Sequence, residues 1–386
     1  RDVGLAEDLA QDALVAALEQ WPKSGVPDNP GAWLMAVAKR RSVDRVRREV
    51  ILEKKLIEMG RDLPPGDDPI DEADFDRHVV DDVLRLMFTA CHPVLPPDAR
   101  VALTLKMVAG LRTEEIARSF VVSTPTMAAR ITRAKKALTA ADVPFEVPIG
   151  DELDARLESV LEAVYLIFNE GYTATAGTAW ARPELCDEAM RLGRMLAALA
   201  PSSSEALGLV ALMEIQASRL RARVAPDGSP ITLLDQDRAQ WDRLLITHAL
   251  ASLDRAIALG GRGGYVLQAS IAACHARAAV ADDTDWTAIA SLYGALVEVT
   301  GSPIVELNRA VAVAMAAGPQ AGLAVVDALI DEPALREYHL LPSVRGDLLV
   351  KLQRLPEARA EFERAAALTA NEAERDLLLA RAAACR

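Results

Sequence analysis

The chain has 386 residues and a formal net charge of −13, with 51% hydrophobic and only 4% aromatic residues. This length favours two or three domains, and the acidic balance excludes a uniformly basic nucleic-acid coat. The apolar residues are mostly aliphatic or Ala, whereas strands are enriched in aromatic and β-branched residues. The composition therefore predicts an all-α fold.

Charge is unevenly distributed along the chain. Residues 39–48 carry a net charge of +5 and residues 100–136 a net charge of +6, whereas residues 62–82 between them carry −8. Residues 141–386 carry −12, so most of the excess acid lies in the C-terminal part. The pattern predicts two basic modules joined by a solvated acidic linker.

The first module shows two helical patterns. In the first helix, Leu5 and Leu9 share an apolar face, and the opposite face carries Glu7, Asp8, Gln11 and Asp12. A turn-rich loop ending in Asp28-Asn29-Pro30 leads to a second helix from about Gly31 to Arg48. The C-terminal half of that helix is strongly basic. Its basic residues are Lys39, Arg40, Arg41, Arg45, Arg47 and Arg48.

The second module reads as a helix-turn-helix. We expect Thr113 to cap its first helix, and Thr124 to cap its second helix with Pro125 at the first helical position. Helical spacing places Met127, Ile131 and Leu138 on the inner face of the second helix. The outward residues are Thr126, Arg130 and Arg133, with Lys136 one turn further. Small residues and arginines on an exposed helix suit the major groove of DNA.

Residues 141–386 read almost entirely as helix, with a repeat near the end. Gly346, Leu349, Ala358, Phe362 and Ala365 alternate small and large residues at tetratricopeptide spacing. Ala310, Val313 and Gly322 form a looser copy of this pattern. The run from Gly260 to Gly264 lacks the Lys-Ser/Thr of a phosphate loop, so we interpret it as a turn between helices.

Several of these segments resemble bacterial RNA polymerase sigma factors. Residues 5–12 resemble their polymerase-binding helix, residues 30–48 their promoter-melting and minus-ten helix, and residues 126–135 their recognition helix for the minus-thirty-five element. The two basic modules with a short linker are similar to the extracytoplasmic-function group. The long helical tail, including residues 165–172, is similar to a subgroup with a tetratricopeptide-like C-terminal extension.

The resemblance implies an organisation in five segments. These are a region 2-like domain at 1–50, an acidic linker at 51–77, a region 4-like helix-turn-helix domain at 78–140, a helical extension at 141–284 and tetratricopeptide-like repeats at 285–386. Because the chain starts at Arg1 within a helical pattern, we expect the first domain to be N-terminally truncated.

The resemblance also implies the partners and their sites. Glu7, Asp8, Gln11 and Asp12 are expected to bind core RNA polymerase. The residues expected to contact promoter DNA are Asn29, Lys39, Arg40, Arg41, Arg45, Arg47, Arg48, Thr126, Arg130, Arg133 and Lys136. We expect a protein or peptide partner for the extension, no cofactor, no metal and no catalytic residue.

Composition adds an expected location. The four cysteines are scattered without a CxxC pair, which favours free thiols in a reducing, cytoplasmic compartment. The longest apolar run, near residues 310–318, is far shorter than the ~20 residues of a membrane span, so we expect no membrane partner.

Other interpretations remain open at this point. The acidic face of the first helix also fits an ordinary solvated surface, Asn29 also fits a turn residue, and Trp33 fits a core position better than a stacking platform. Asp227, Asp235 and Asp237 fit solvated loop acids better than a metal site. At the level of the whole chain, the alternatives are a helix-turn-helix regulator with a sensor domain that acts without polymerase, and an enzyme whose helical tail is catalytic.

Overall fold

The computed structural model describes residues 11, 13–18, 21, 25–27, 29–31, 33–35, 37–38, 83–120, 122–172, 182–225, 231–369 and 372–385. The elements of these residues are α-helices and short 3-10 helices, which confirms the all-α fold class. Contacts divide the chain into two compact units, residues 1–163 and 164–386. The acidic linker at 51–77 lies outside the described residues, and the five-segment organisation stays a prediction.

The first unit contains the helix-turn-helix. A helical segment at 83–90 precedes α1 (Pro97–Met107), α2 (Thr113–Ser119) and α3 (Thr124–Ala140), and α3 packs on both α1 and α2. Phe88, Leu103, Leu105, Ile116 and Met127 are fully buried in this unit. Met127 was predicted on the inner face of α3, whereas the buried positions of the preceding helices, Phe88, Leu103 and Leu105, were not predicted.

Both predicted caps of the helix-turn-helix were wrong by one residue. Ser123, not Thr124, caps α3, because its backbone is extended and its Oγ accepts the Thr126 N–H at 3.3 Å. Thr113 is already helical in α2, and the preceding Arg112 donates its N–H to Glu115 Oε2 at 2.7 Å. An acid that reaches back over the first turn satisfies the flanking N–H, so the helix needs no cap from Thr113.

The next helix, α4 (Asp151–Tyr172), packs its first part within the same unit. Arg156 is 5% exposed and donates from Nη2 to the Phe88 carbonyl at 2.6 Å. Ser159 Oγ donates to the Cys91 carbonyl at 2.5 Å, and Arg100 forms an ion pair with Glu162 at 3.4 Å. Residues 151–163 therefore complete the fold of the helix-turn-helix unit.

The second unit is a series of helices that pack mainly on their neighbours along the chain. Its described residues form the remainder of α4 and ten further α-helices. These are α5 (Pro183–Leu199), α6 (Ser204–Ala217), α7 (Arg243–Ala258), α8 (Gly264–Arg277), α9 (Trp286–Thr300), α10 (Pro303–Ala317), α11 (Pro319–Asp327), α12 (Leu340–Lys351), α13 (Leu355–Leu368) and α14 (Glu372–Ala384). Neighbour-to-neighbour packing is the contact pattern of a helical repeat array.

The small residues of the predicted repeats lie where two helices approach closely. A Cβ added to Gly346 of α12 would lie 2.7 Å from the Phe362 ring of α13. In the looser copy, a Cβ on Gly322 of α11 would lie 2.5 Å from Ala314 Cβ of α10. The predicted helix hairpins are confirmed, and the glycines permit the close contact that their spacing indicated.

The glycine run after α7 is a turn, as predicted. Gly260 has φ +78°, a left-handed conformation that ends α7 and that glycine adopts without strain. The turn delivers the chain to the start of α8, where the Glu205 carboxylate accepts the Tyr265 N–H at 2.9 Å and the Val266 N–H at 3.3 Å. A carboxylate at the N-terminus of a helix satisfies free N–H groups and complements the helix dipole.

Candidate nucleic-acid interface

Helix α3 has one buried and one exposed side. Met127, Ile131 and Leu138 are 0%, 6% and 3% exposed, which confirms the predicted inner face. Thr126, Arg133 and Lys136 are exposed, and Arg130 is partly buried. Positions 126 and 133 are two turns apart and 136 follows three residues later, so the exposed residues occupy one side of the helix.

The N-terminus of α3 is organised by two hydroxyl groups. Ser123 Oγ accepts the Thr126 N–H, and it lies 2.8 Å from Thr126 Oγ1. Both residues are exposed. The pair fixes the first turn of the helix and presents two hydroxyl groups to a partner, which suits a contact to phosphate.

Arg130 is held by contacts within its own unit. Its Nη1 forms an ion pair with Asp98 Oδ2 of α1 at 3.5 Å, and its guanidinium carbon lies 5.5 Å from the centroid of the Phe120 ring. Only 24% of the side chain is exposed. Arg130 can reach DNA only if these two contacts are exchanged for contacts to the nucleic acid.

Arg133 lies over its own helix. Its Nε donates to the Ala129 carbonyl one turn earlier, at 3.3 Å, and the side chain is exposed. The geometry therefore favours Arg133 over Arg130 as the first arginine to meet a base or a phosphate.

Most predicted sites of the first module lie outside the described residues. These are Glu7, Asp8, Asp12, Lys39, Arg40, Arg41, Arg45, Arg47 and Arg48. Gln11 is described as helical and exposed. Asn29 is half-buried just before the second helix, and its carbonyl accepts the Trp33 N–H at 3.2 Å. That bond supports the turn interpretation of Asn29 and leaves its side-chain role a prediction.

Trp33 packs against Trp21, with ring centroids 5.5 Å apart and an interplanar angle of 60°. Both rings are half-buried. Tilted aromatic pairs at this separation are common in cores. The contact favours the core interpretation of Trp33.

Cys91 and two of the loop acids have structural partners. Burial raises the pKa of the Cys91 thiol to about 11, and Cys91 Sγ lies 3.2 Å from Thr104 Oγ1. Asp235 accepts the Thr232 hydroxyl proton at 2.6 Å, and Asp237 caps a 3-10 helix at Ala239. Asp227 lies outside the described residues, among which no group of three His, Cys, Asp or Glu side chains is placed to hold a metal ion.

The cluster of Arg219 and Arg238 around Trp241 in the second unit was not predicted from the sequence. Arg219 and Arg238 both approach the Trp241 ring, with guanidinium carbons 5.9 Å and 5.1 Å from its centroid. The one visible signal was the alternation of arginines at 219, 221 and 223, which is weak on its own.

Comparison with known proteins agrees with this arrangement. Residues 1–50 match the family model "Sigma-70 region 2", residues 85–138 match "Sigma-70, region 4", and residues 156–257 match "Family of unknown function (DUF6596)". No helix in the described ranges is long and apolar enough to cross a bilayer.

A relative and a solved structure extend the comparison. The chain is 44% identical over 377 residues to "Uncharacterized protein R00370" of Rhizobium meliloti (strain 1021), covering 97% of this chain and 88% of that protein. A tetratricopeptide repeat protein from Parabacteroides merdae ATCC 43184 is similar at a TM-score of 0.36 and 14% identity, over 74% of this chain and 93% of that one. The repeat character of the extension rests on its own helix contacts and not on this last likeness. Regions 2 and 4 of sigma-70 are both present and in order, and the relative is similar over almost the whole of this chain. The chain therefore belongs to the sigma-70 family of transcription initiation factors, in a form that carries a long helical C-terminal extension.

Proposed function

We propose that this chain docks on core RNA polymerase and directs it to a specific promoter, with α3 reading the minus-thirty-five element. The observation that carries the proposal is the exposed side of α3, where Thr126, Arg133 and Lys136 lie opposite a fully packed inner face. Hydroxyl and cationic side chains on one side of a rigid helix match the contacts that position a helix in the major groove.

The polymerase contact is assigned to the first module. Glu7, Asp8, Gln11 and Asp12 form the proposed docking face, and Gln11 is exposed on a helix as that role requires. Lys39, Arg40, Arg41, Arg45, Arg47 and Arg48 are proposed to hold phosphates near the melted region, with Asn29 beside an extruded base. Cations on phosphates release counterions, so this binding should weaken as salt rises.

The remaining parts of the proposal concern chemistry, location and the extension. Sigma factors act without turnover chemistry, and we propose the same for this chain, acting in the cytoplasm beside its polymerase.

We propose that the extension is regulatory. Its net charge of −12 opposes that of the basic DNA-facing segments, and repeat arrays expose surfaces suited to protein or peptide partners. Competition between acidic and basic segments would be sensitive to salt.

The α3 assignment is tested on the holoenzyme with a set of promoter variants. Arg133→Gln should cost ~1–3 kcal/mol of promoter binding and relax the preference at one base position, if Arg133 reads a base edge. A uniform loss over all sequences would instead assign Arg133 to phosphate. Lys351→Gln, an exposed cation of the extension, is the control for loss of one charge. Unchanged binding by Arg133→Gln would remove α3 from the proposal.

The regulatory role is tested separately. A chain ending at Ala163 retains the whole first unit, so its transcription with core polymerase can be compared with that of the full chain over a range of salt. We expect the shortened chain and the full chain to differ in the amount of transcript they produce and in how that amount depends on salt. Identical transcription would exclude regulation by the extension while leaving promoter recognition intact.

A further inference from the structure

A cleft of about 290 Å³ lies within the second unit, lined by residues of α6, α8, α9 and α10 together with Trp241. One part of its lining is apolar, with Leu212, Ile271 and Leu296 among the contributors. Another part is polar, with Arg219, His275 and Gln268. An apolar wall combined with a few convergent polar groups is the usual composition of a small-molecule site.

Three lining residues carry buried polar atoms that no hydrogen bond within the described part of the chain satisfies. Arg219 Nε, Trp241 Nε1 and His275 Nδ1 are buried and have no hydrogen-bond partner among the residues that the structure describes. Trp241 is 2% exposed and His275 is 8% exposed. A buried donor or acceptor left without a partner costs ~1–3 kcal/mol. These atoms lie below the surface, so they mark uncompensated polarity beside the cleft, and the Arg219 guanidinium is the charged group that lines it.

Three arginines lie in or beside the cleft, and of these Arg219 lines it. Arg219 Nη2 donates to Tyr172 Oη at 2.8 Å, and the Arg223 guanidinium carbon lies 3.7 Å from the centroid of the Tyr172 ring. Arg238 donates to the carbonyls of His275 and Ala278 at 2.7 Å and 2.8 Å. Within the described ranges, none of these three arginines forms an ion pair with a carboxylate. Buried cations are usually paired, so the arrangement favours an anionic partner.

The pKa values of Arg238 and His275 are both lowered, as expected for buried groups close to other cations. Burial lowers the pKa of Arg238, and Arg219 lowers it further, although Asp283 opposes the shift. Burial lowers the pKa of His275 to about 4, with Arg219 and Arg238 adding to the effect. A neutral imidazole at physiological pH leaves the arginines as the charges that a ligand would meet.

We propose that this cleft binds a small organic anion, with a carboxylate at the guanidinium of Arg219 and an apolar body against Leu212 and Ile271. Arg219 Nη2 is engaged by Tyr172 and Nε is buried, so Nη1 is the nitrogen that remains for a carboxylate oxygen. Ligand sites commonly have volumes of ~300–1,000 Å³. A cleft of about 290 Å³, just below that range, selects a compact ligand rather than a nucleotide or a peptide. All residues that line the cleft belong to the second unit, so ligand binding does not require the first unit. A role of the bound ligand as a signal for transcription rests on the proposed regulatory role of the extension.

The test is calorimetric titration of the full chain with sodium benzoate as the probe, without polymerase or DNA. Benzyl alcohol supplies the same ring without the charge, and inorganic phosphate supplies charge without the ring. We expect saturable binding of benzoate, with both comparators weaker by about tenfold or more, equivalent to ~1.4 kcal/mol. Equal binding of benzyl alcohol would overturn the anionic character of the site, and equal binding of phosphate would overturn the need for an apolar body.

Two variants locate the site. Arg219→Gln removes the charge and Ala272→Leu fills the cleft while keeping every charge, so each should weaken benzoate binding by about tenfold or more. Arg221→Gln removes an exposed cation two residues away, which does not line the cleft, and should bind as the wild type does. If Arg219→Gln unfolds, Ala272→Leu decides the question. No saturable binding to the wild type, or wild-type binding by a folded Ala272→Leu, would overturn the proposal.

Discussion

Arg130 of the recognition helix forms an ion pair with Asp98 of α1, with Nη1 and Oδ2 3.5 Å apart. The pair joins the first and third helices of the helix-turn-helix unit and places the guanidinium over Phe120. A side chain predicted to read DNA is therefore restrained within the protein. Asp98 is 71% exposed, so the pair contributes little to folding and its main effect falls on Arg130 itself.

Replacing Asp98 should release Arg130 for DNA. Asp98→Asn loses at most about 1 kcal/mol of stability, from the ion pair and from the acid in the first turn of α1. The holoenzyme should then bind promoter more tightly, with a salt dependence steeper by about one phosphate contact. Binding measured over a salt series checks this. Asp142→Asn, just after α3, removes the same charge elsewhere in the unit, and equal effects of the two variants would contradict a specific release of Arg130.

The first part of α4 should be required for the stability of the helix-turn-helix unit. A chain ending at residue 140 loses the buried side chains of Leu157, Val160 and Leu161 and the hydrogen bonds of Arg156 and Ser159. Burial of one such aliphatic side chain contributes ~1.5–3 kcal/mol. Thermal unfolding followed by circular dichroism should therefore show a clearly lower midpoint than for a chain ending at 163. Equal midpoints would mean that these contacts do not stabilise the unit.

Two glycines in helices should respond to alanine in opposite directions. A Cβ at Gly346 meets the Phe362 ring at 2.7 Å, so Gly346→Ala overpacks the α12–α13 contact and should cost ~1–3 kcal/mol. A Cβ at Gly294 in α9 meets nothing within 4 Å. Because Ala is the better helix former, Gly294→Ala should stabilise by ~0.5–1 kcal/mol. Chemical denaturation of both variants measures the change in the free energy of unfolding. A stabilised Gly346→Ala would show that Phe362 moves freely.

His275 should make the second unit less stable in acid. Its pKa is lowered from 6.5 to about 4 by burial, then by Arg219 and Arg238. The unfolded chain takes up a proton near pH 6.5 and the folded chain only near pH 4, so the stability is fully present above pH 6.5 and is lost as the pH falls towards 4. Between pH 6.5 and pH 4 the free energy of unfolding falls by an amount that approaches ~1.4 kcal/mol per pH unit. Urea unfolding near pH 7.5 and near pH 5 should show a smaller change for His275→Asn than for the wild type. The same change in both would exclude His275 as the cause.

Local periodicity made the fold largely predictable. The spacing of Met127, Ile131 and Leu138 identified the inner face of α3, and the Gly346–Phe362 spacing identified a helix hairpin, because both patterns repeat within one or two helices. The caps were displaced by one residue, since neighbouring Ser123 and Thr124 are both good caps and only the backbone conformation distinguishes them.

Features that join distant segments were not predictable from the chain. Asp98 and Arg130 are brought together by the packing of α1 on α3, and nothing in either local pattern marks the pair. The cleft depends on four helices and on Trp241, which enters from the segment between a 3-10 helix and α7. Its polar residues appeared in the sequence as isolated arginines and a histidine among apolar positions.

The proposed role of this chain, to give core RNA polymerase its promoter specificity, can be tested by transcription in vitro. Genomic DNA is transcribed by core polymerase with and without the full chain, and the RNA 5′ ends are mapped. We expect discrete start sites that appear only when both proteins are present and that weaken with Arg133→Gln. Start sites that do not depend on the chain, or operator binding by the chain alone with no effect on transcription, would contradict the proposed role.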